Sequence, residues 1–346
     1  MGIESAAALV QSAILDGVFP GAAFALGRGY EAEGRTLGRY TYCPDSRPVA
    51  TDTIWDLASV SKVVGTTSVA MRFYEEGDLD LDRNVAEIVP AFGANGKENI
   101  TVRQLLLHEA GLIAFRPYYR SMTRPQEVRD AINAEMLTYE PSSKSVYSDL
   151  SMIVLQEVLE TLSGEPLDIL VKQTLSLPES IYRPPELRCP PTERVEPWRR
   201  DLRQMRVQTF ANAEYIQGEV HDPTACVLGG VAGHAGLFAP LGDLVRFCSM
   251  LLDGYVAKPE TVRLFTTRHS SRSSRALGWD TNLTWAGSHQ GPRVFGHAGY
   301  TGTSVWLDPD DNRWAILLTN RVHPTATNEK LIPFRRIFHD ALLSPD

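Results

Sequence analysis

Apolar positions at Ala8, Leu9, Ile14 and Leu15 suit an amphipathic helix, which Gly17 and Pro20 bring to an end. The run Gly21-Ala22-Ala23-Phe24-Ala25-Leu26-Gly27 then predicts a strand, with Thr36 to Tyr42 as its hairpin partner. From Lys62 to about Gly164 the pattern is mainly helical, with segments at Val69 to Tyr74, Val102 to Leu107, Pro125 to Met136 and Leu150 to Leu162. A stretch rich in proline and arginine, residues 183–206, interrupts it and reads as a loop or lid. Past Asp222 the pattern predicts helices at Leu241 to Leu252 and Pro259 to Thr266, and strands at Arg293 to Phe295, Thr303 to Leu307 and Trp314 to Thr319. A helix from Asn328 to Leu343 closes the chain. Strands thus come from both ends and helices from the middle. The expectation is an α/β (α+β) protein with a sheet domain from residues 1–61 and 225–346 and a mainly helical insertion from 62–224.

Composition narrows the classes. With 346 residues, 43% hydrophobic and 22% charged, the chain is long enough for one large domain or two intimate ones, and it has the make-up of a globular protein. A net charge of −8 argues against nucleic acid as a partner, because duplex binding rests on phosphate neutralisation. Arginines do gather between Arg188 and Arg206, interleaved with Glu193, Glu196 and Asp201, which reads as a solvated, ion-paired surface. Cys43, Cys189, Cys226 and Cys248 show no ligand spacing, so reduced thiols and no metal site are expected. No apolar run of about 18 residues occurs, so no membrane span is expected. The first residues lack a basic leader, which suits a cytoplasmic protein, or a periplasmic one after trimming.

The chemistry-bearing segments number three. Ser59-Val60-Ser61-Lys62 is the one place where a serine stands three residues before a lysine. On a helix that spacing puts both side chains on one face, where they can share a proton. Burial of the small apolar run after Lys62 would lower the pKa of its amine and make it a base. Tyr147-Ser148-Asp149 sits where a loop enters the helix from Leu150, with a tyrosine placed to relay a proton and Ser148 or Asp149 as N-cap. His297-Ala298-Gly299-Tyr300-Thr301-Gly302 follows a predicted strand, and its small residues let a substrate approach backbone N–H groups.

In this order the three segments resemble the serine beta-lactamase and penicillin-binding-protein superfamily, in which Ser-x-x-Lys, a Tyr-x-Asn-like loop and a Lys-Thr-Gly-like strand meet in one cleft. Thr101 to Leu112 and Gly229 to Phe238 are also similar to family patterns, and the best match is the class C beta-lactamase-like branch, which includes family VIII carboxylesterases and D-amino-acid-specific peptidases. The resemblance implies a beta-lactamase-like fold, an antiparallel sheet flanked by helices. It also implies Ser59 as acylated nucleophile, Lys62 as its proton partner, Tyr147 as general base, and the N–H groups of Ser59 and Tyr300 as oxyanion hole. His297, Gly299 and Asp149 would face the substrate, and neither cofactor nor metal is required. Asp149 stands where beta-lactamases of the family have Asn, and His297 where they often have Lys. An ionised Asp only accepts hydrogen bonds and repels a carboxylate, and a neutral His gives a carboxylate no cation.

No serine has glycine on both sides at two residues' distance, so the alpha/beta-hydrolase elbow is absent. The expectation is therefore a serine carboxylesterase acting on small short-chain esters. Alternatives with the same site are a beta-lactamase, a D-amino-acid peptidase of the penicillin-binding type or an acyltransferase on an ester or amide, and a binding protein without turnover is the reading from another class. Arg321 is a candidate for the missing positive charge, His108 and His234 read as structural, and His221-Asp222 as a border of the cleft.

Overall fold

The computed structural model describes residues 2–282, 286–288 and 291–343. Strands β1 (Gly21–Arg28), β2 (Glu31–Gly38), β6 (Phe295–Ala298), β7 (Ser304–Asp308) and β8 (Arg313–Thr319) form one antiparallel sheet in the order β2-β1-β8-β7-β6. Both ends of the chain build it, and helices flank it, the architecture the resemblance implied. Alternation along the central strands explains their continuous apolar sequence. Ala22, Phe24, Ala315 and Leu317 pack on the helices Gly2–Leu15 and Leu331–Leu343, while Ala23, Ala25, Ile316 and Leu318 face the main core. A smaller sheet, β3 (Ile54–Asp56), β5 (Leu237–Pro240) and β4 (Ile181–Tyr182) in the order β3-β5-β4, lies beside the main core.

Three local expectations are corrected. The partner of β1 is residues 31–38 rather than Thr36 to Tyr42, because Arg28 pairs with Glu31 across a two-residue turn at Gly29-Tyr30. Gly29 takes φ 56°, a conformation open to glycine, and β2 is an exposed edge strand whose polar sequence hides it from an apolar pattern. The strand expected at Arg293 to Phe295 is β6, which runs through Gly296 to Ala298 and so includes His297. A Cβ at Gly296 would sit 2.2 Å from the Val305 carbonyl oxygen, so this glycine marks close packing rather than a strand end.

The arginine-rich stretch contains the helix Pro197–Met205, with proline at its first position. Arg199 and Arg203 are buried, not solvated. Both meet Glu219, at 3.1 Å and 2.8 Å, and Arg199 also donates to the carbonyls of Val220 at 3.0 Å and His221 at 2.8 Å. Arg188 and Arg194 do carry the expected surface ion pairs, with Glu179 and Glu214. Among the described residues no helix is long and apolar enough to cross a membrane.

Glu219→Ala leaves two buried guanidinium groups facing one lost carboxylate. The expected result is a loss of roughly 3–5 kcal/mol in folding stability. Denaturant unfolding measures it, and a change under about 1 kcal/mol would contradict the buried pairing.

Candidate active site

Ser59 stands on a turn that the smaller sheet holds in place. The preceding residue, Ala58, has φ 46°, a left-handed conformation that costs a non-glycine residue roughly 1–3 kcal/mol. Asp56, at the end of β3, accepts the Ala58 N–H at 2.8 Å and the His221 N–H at 2.7 Å. Leu57 N–H donates to the Leu237 carbonyl, and Leu237 N–H to Ser61 Oγ, so β5 ties both sides of the serine. The chain then makes an i+3 bond from Lys62 N–H to the Ser59 carbonyl at 3.1 Å and enters a π-helical turn at Lys62–Thr67.

Lys62 is fully buried and its Nζ has three acceptors. They are Ser59 Oγ at 2.9 Å, the His234 carbonyl at 2.9 Å and Asp149 Oδ1 at 2.8 Å. An ammonium has three N–H donors, so all are used. Burial alone would lower the pKa of the amine, as the sequence reading expected. The Asp149 carboxylate and Tyr147 outweigh burial and hold it above the ordinary lysine range. The expectation of a neutral lysine base is corrected: in this state Lys62 is a cation.

Ser148 caps the helix Asp149–Ser163 by accepting the Ser151 N–H, which fixes Tyr147 just outside the helix and Asp149 in its first turn. The Tyr147 ring has Lys62 Nζ at 4.9 Å and the Arg275 guanidinium at 4.9 Å, and its buried hydroxyl has no hydrogen-bond partner. His108 packs on that ring at 4.8 Å and accepts the Ser148 N–H at 3.1 Å through Nδ1. His297, in β6, lies 5.8 Å from the same ring, with Nδ1 bonded to the Ala298 carbonyl at 2.9 Å and a buried, unpartnered Nε2. Burial, reinforced by Arg275 and Lys62, pushes both imidazoles well below the ordinary histidine range, so they are neutral.

Two cavities meet at Ser59, Tyr147 and Tyr300. One, of about 680 Å³, is walled by Phe115, Tyr119 and Trp198 and carries Asp149, Glu193 and Asp222. The other, of about 410 Å³, is lined by His297, Gly299, Arg275, Arg321 and Arg335. Gly299 N–H bonds the Thr303 carbonyl at 2.7 Å, closing the turn that presents Tyr300. Among the described residues neither the Ser59 nor the Tyr300 N–H donates to a protein acceptor, so two donors stand at the junction.

The seven site residues picked from sequence (Ser59, Lys62, Tyr147, Asp149, His297, Gly299 and Tyr300) therefore gather at one junction. Arg321 also lies there, but its donors serve the carbonyls of Tyr300, Ala326 and Asn328, and its guanidinium sits 4.6 Å over the Tyr300 ring. His221, paired with Glu193 at 2.8 Å, stacks against Tyr300 in the lining of the larger cavity. His234 bonds Asp222 at 2.8 Å; burial pushes that carboxyl up, but His234 and the Ala225 N–H hold it below the usual range. Asp149, Asp222 and His234 offer atoms within 4.8 Å of one another, a spacing a metal ion tolerates, but Lys62 and the His234–Asp222 bond already engage them. Sequence reasoning missed Arg275 and Arg335, which have no local motif, and the aromatic wall of Phe115, Tyr119 and Trp198.

The sequence profile of the Beta-lactamase family matches residues 6–339. A Bacillus subtilis (strain 168) protein named N-acetylmuramyl-L-alanine amidase is 32% identical over 305 residues, which cover 79% of this chain and 69% of that protein. An Escherichia coli (strain K12) protein named "Putative D-alanyl-D-alanine carboxypeptidase" is 30% identical over 319 residues, covering 81% of this chain and 72% of that protein. Among solved structures, "EstCE1, a hydrolase with promiscuous acyltransferase activity" matches with a TM-score of 0.75 and 22% identity over 99% of this chain and 98% of that one, a likeness in fold. With the profile running through almost the whole described chain, this protein belongs to the Beta-lactamase family, within the serine hydrolase superfamily.

Proposed function

We propose that the protein is a carboxylesterase that forms an acyl-enzyme on Ser59 and cleaves small short-chain esters. The observation that carries the reading is the Lys62 ammonium, bonded to Ser59 Oγ at 2.9 Å and Asp149 at 2.8 Å beside Tyr147. Because Lys62 is held as a cation with its donors used, the proton acceptor is Tyr147. Lys62 Nζ and the Arg275 guanidinium, each 4.9 Å from the centre of its ring, supply positive charge beside Tyr147. Acting from its deprotonated form, Tyr147 takes the Ser59 proton as Oγ attacks the ester carbonyl, and the N–H groups of Ser59 and Tyr300 bind the oxyanion. The intermediate collapses, the alcohol leaves with the proton from Tyr147, and the acyl group stays on Ser59. Water then gives its proton to Tyr147 and attacks the acyl carbon, and Ser59 leaves reprotonated.

Neutral His297 supports an uncharged ester, since the edge of β6 offers a carboxylate no cation there. A second reading, a peptidase or amidase for D-amino-acid or cell-wall peptides, is favoured by the guanidinium groups of Arg321 and Arg335 on the His297 side and by the names of the two relatives. Initial rates on p-nitrophenyl butyrate, nitrocefin and a D-alanyl-D-alanine dipeptide separate the two readings. Ester turnover well above the others supports the esterase, and dipeptide cleavage without ester turnover overturns it.

Ser59→Ala is expected to abolish ester turnover, and Tyr147→Phe to lower kcat by about 10²–10⁴-fold, the range for loss of a general acid–base group. Full activity in either variant contradicts the assignment. Since His297 and His108 stay neutral well below pH 6.5, the profile of kcat/KM for the neutral ester is expected to carry no imidazole inflection near that value. A fall in rate below pH 6.5 that disappears in His297→Gln would show that this ring titrates in the ordinary range.

A further inference from the structure

Arg335 comes from the closing helix, and its guanidinium is the least expected charge near Ser59. It is 9% exposed, and among the described residues neither it nor Arg321 forms an ion pair with a carboxylate. Nη2 donates to the Gly299 carbonyl at 2.6 Å and the Thr303 carbonyl at 3.1 Å, while the buried Nε has no partner. Burial, with Arg321 close by, draws its pKa down to about 10, so it remains charged at neutral pH. Burying a cation without a carboxylate partner is costly.

The acceptor matters more than the cation. The Gly299 carbonyl and the Tyr300 N–H belong to one peptide group. A guanidinium bonded to that carbonyl draws electron density toward oxygen and leaves the N–H more positive, as hydrogen bonds in series polarise one another. The same carbonyl accepts the Gly302 N–H at 3.2 Å, and Arg321 Nε holds the next carbonyl, that of Tyr300, at 2.9 Å. Both carbonyls flanking the Tyr300 Cα are thus fixed by cations, and the Gly299–Tyr300 peptide plane cannot turn freely.

We propose that Arg335 is a positioning residue that orients and polarises the Gly299–Tyr300 peptide, so that the Tyr300 N–H is a stronger oxyanion donor than an ordinary amide. The inference rests on the reading of Ser59 as the acylated nucleophile. It predicts an effect on every acyl substrate, charged or neutral, because Arg335 acts on the protein's own peptide and not on the substrate.

The test uses the full-length protein and its Arg335→Gln and Arg335→Lys variants, with p-nitrophenyl butyrate and the monoanionic ester p-nitrophenyl hemisuccinate. In Arg335→Gln, kcat is expected to fall about tenfold on both esters with little change in KM, short of the roughly 10²–10³-fold that follows loss of an oxyanion donor outright. Arg335→Lys, which keeps a cation, is expected to recover part of the loss. Infrared difference spectra of the acyl-enzyme, made with carbonyl-labelled ester, give the direct readout: the acyl carbonyl band should move toward its frequency in water in Arg335→Gln. Labelling of Ser59 by a fluorophosphonate counts intact sites, so rates are expressed per folded site in whichever variants fold. An unchanged band with unchanged kcat overturns the proposal. A rise in KM confined to the anionic ester overturns it too, and makes Arg335 a carboxylate contact. Ester turnover that survives Ser59→Ala defeats the nucleophile reading instead, independently of the Arg335 variants.

Discussion

The buried Lys62 ammonium is the interaction on which the site depends. Taking such a charge out of water costs several kcal/mol unless its donors are satisfied, and each of its three acceptors comes from a different part of the chain. Ser59 Oγ arrives from the turn after β3, the His234 carbonyl from the approach to β5, and Asp149 from the first turn of the helix that Ser148 caps. Removing one acceptor leaves a buried donor unpaired, so the three segments are held to one geometry. The strained Ala58 and the π-helical turn at Lys62–Thr67 are tolerated because the surrounding contacts over-determine the turn.

Both signs of charge line both cavities. The larger sets Asp149, Glu193 and Asp222 beside Arg194, Arg199 and the aromatic wall, and the smaller sets Arg275, Arg321 and Arg335 beside Asp280 and Glu329, with Ser59, Tyr147 and Tyr300 on the boundary. A neutral His297 between Tyr147 and the smaller cavity keeps the edge of β6 uncharged, while the cations beside it are turned toward backbone carbonyls. In a partly desolvated cleft, oriented donors act strongly because little reorganisation accompanies the charge that develops in the reaction.

Much of this arrangement was legible in the sequence wherever it had a local signature. The apolar run from Trp314 to Thr319 marks the strand β8, and the Ser59-x-x-Lys62 spacing marks one side of the junction. Polar edge strand β2 lacked such a signature, as did β6 beyond Gly296, where a glycine needed for packing looked like a boundary. The charge of Lys62 is not legible from sequence, because burial can be read from neighbouring residues whereas the opposing carboxylate of Asp149 becomes its neighbour only in the fold. Arg199, Arg203 and Arg335 are illegible for the same reason: a buried arginine differs from a surface one by its partners, which lie 16 or more residues away along the chain.

The central claim is that turnover passes through an acyl group on Ser59. Its most direct test is mass spectrometry of the intact protein, acid-quenched during turnover of a slowly hydrolysed ester, followed by peptide mapping. The account predicts one acyl adduct, located on Ser59, and its disappearance as the ester is consumed. An adduct on another residue, or steady turnover with no adduct at any time of quenching, would contradict it.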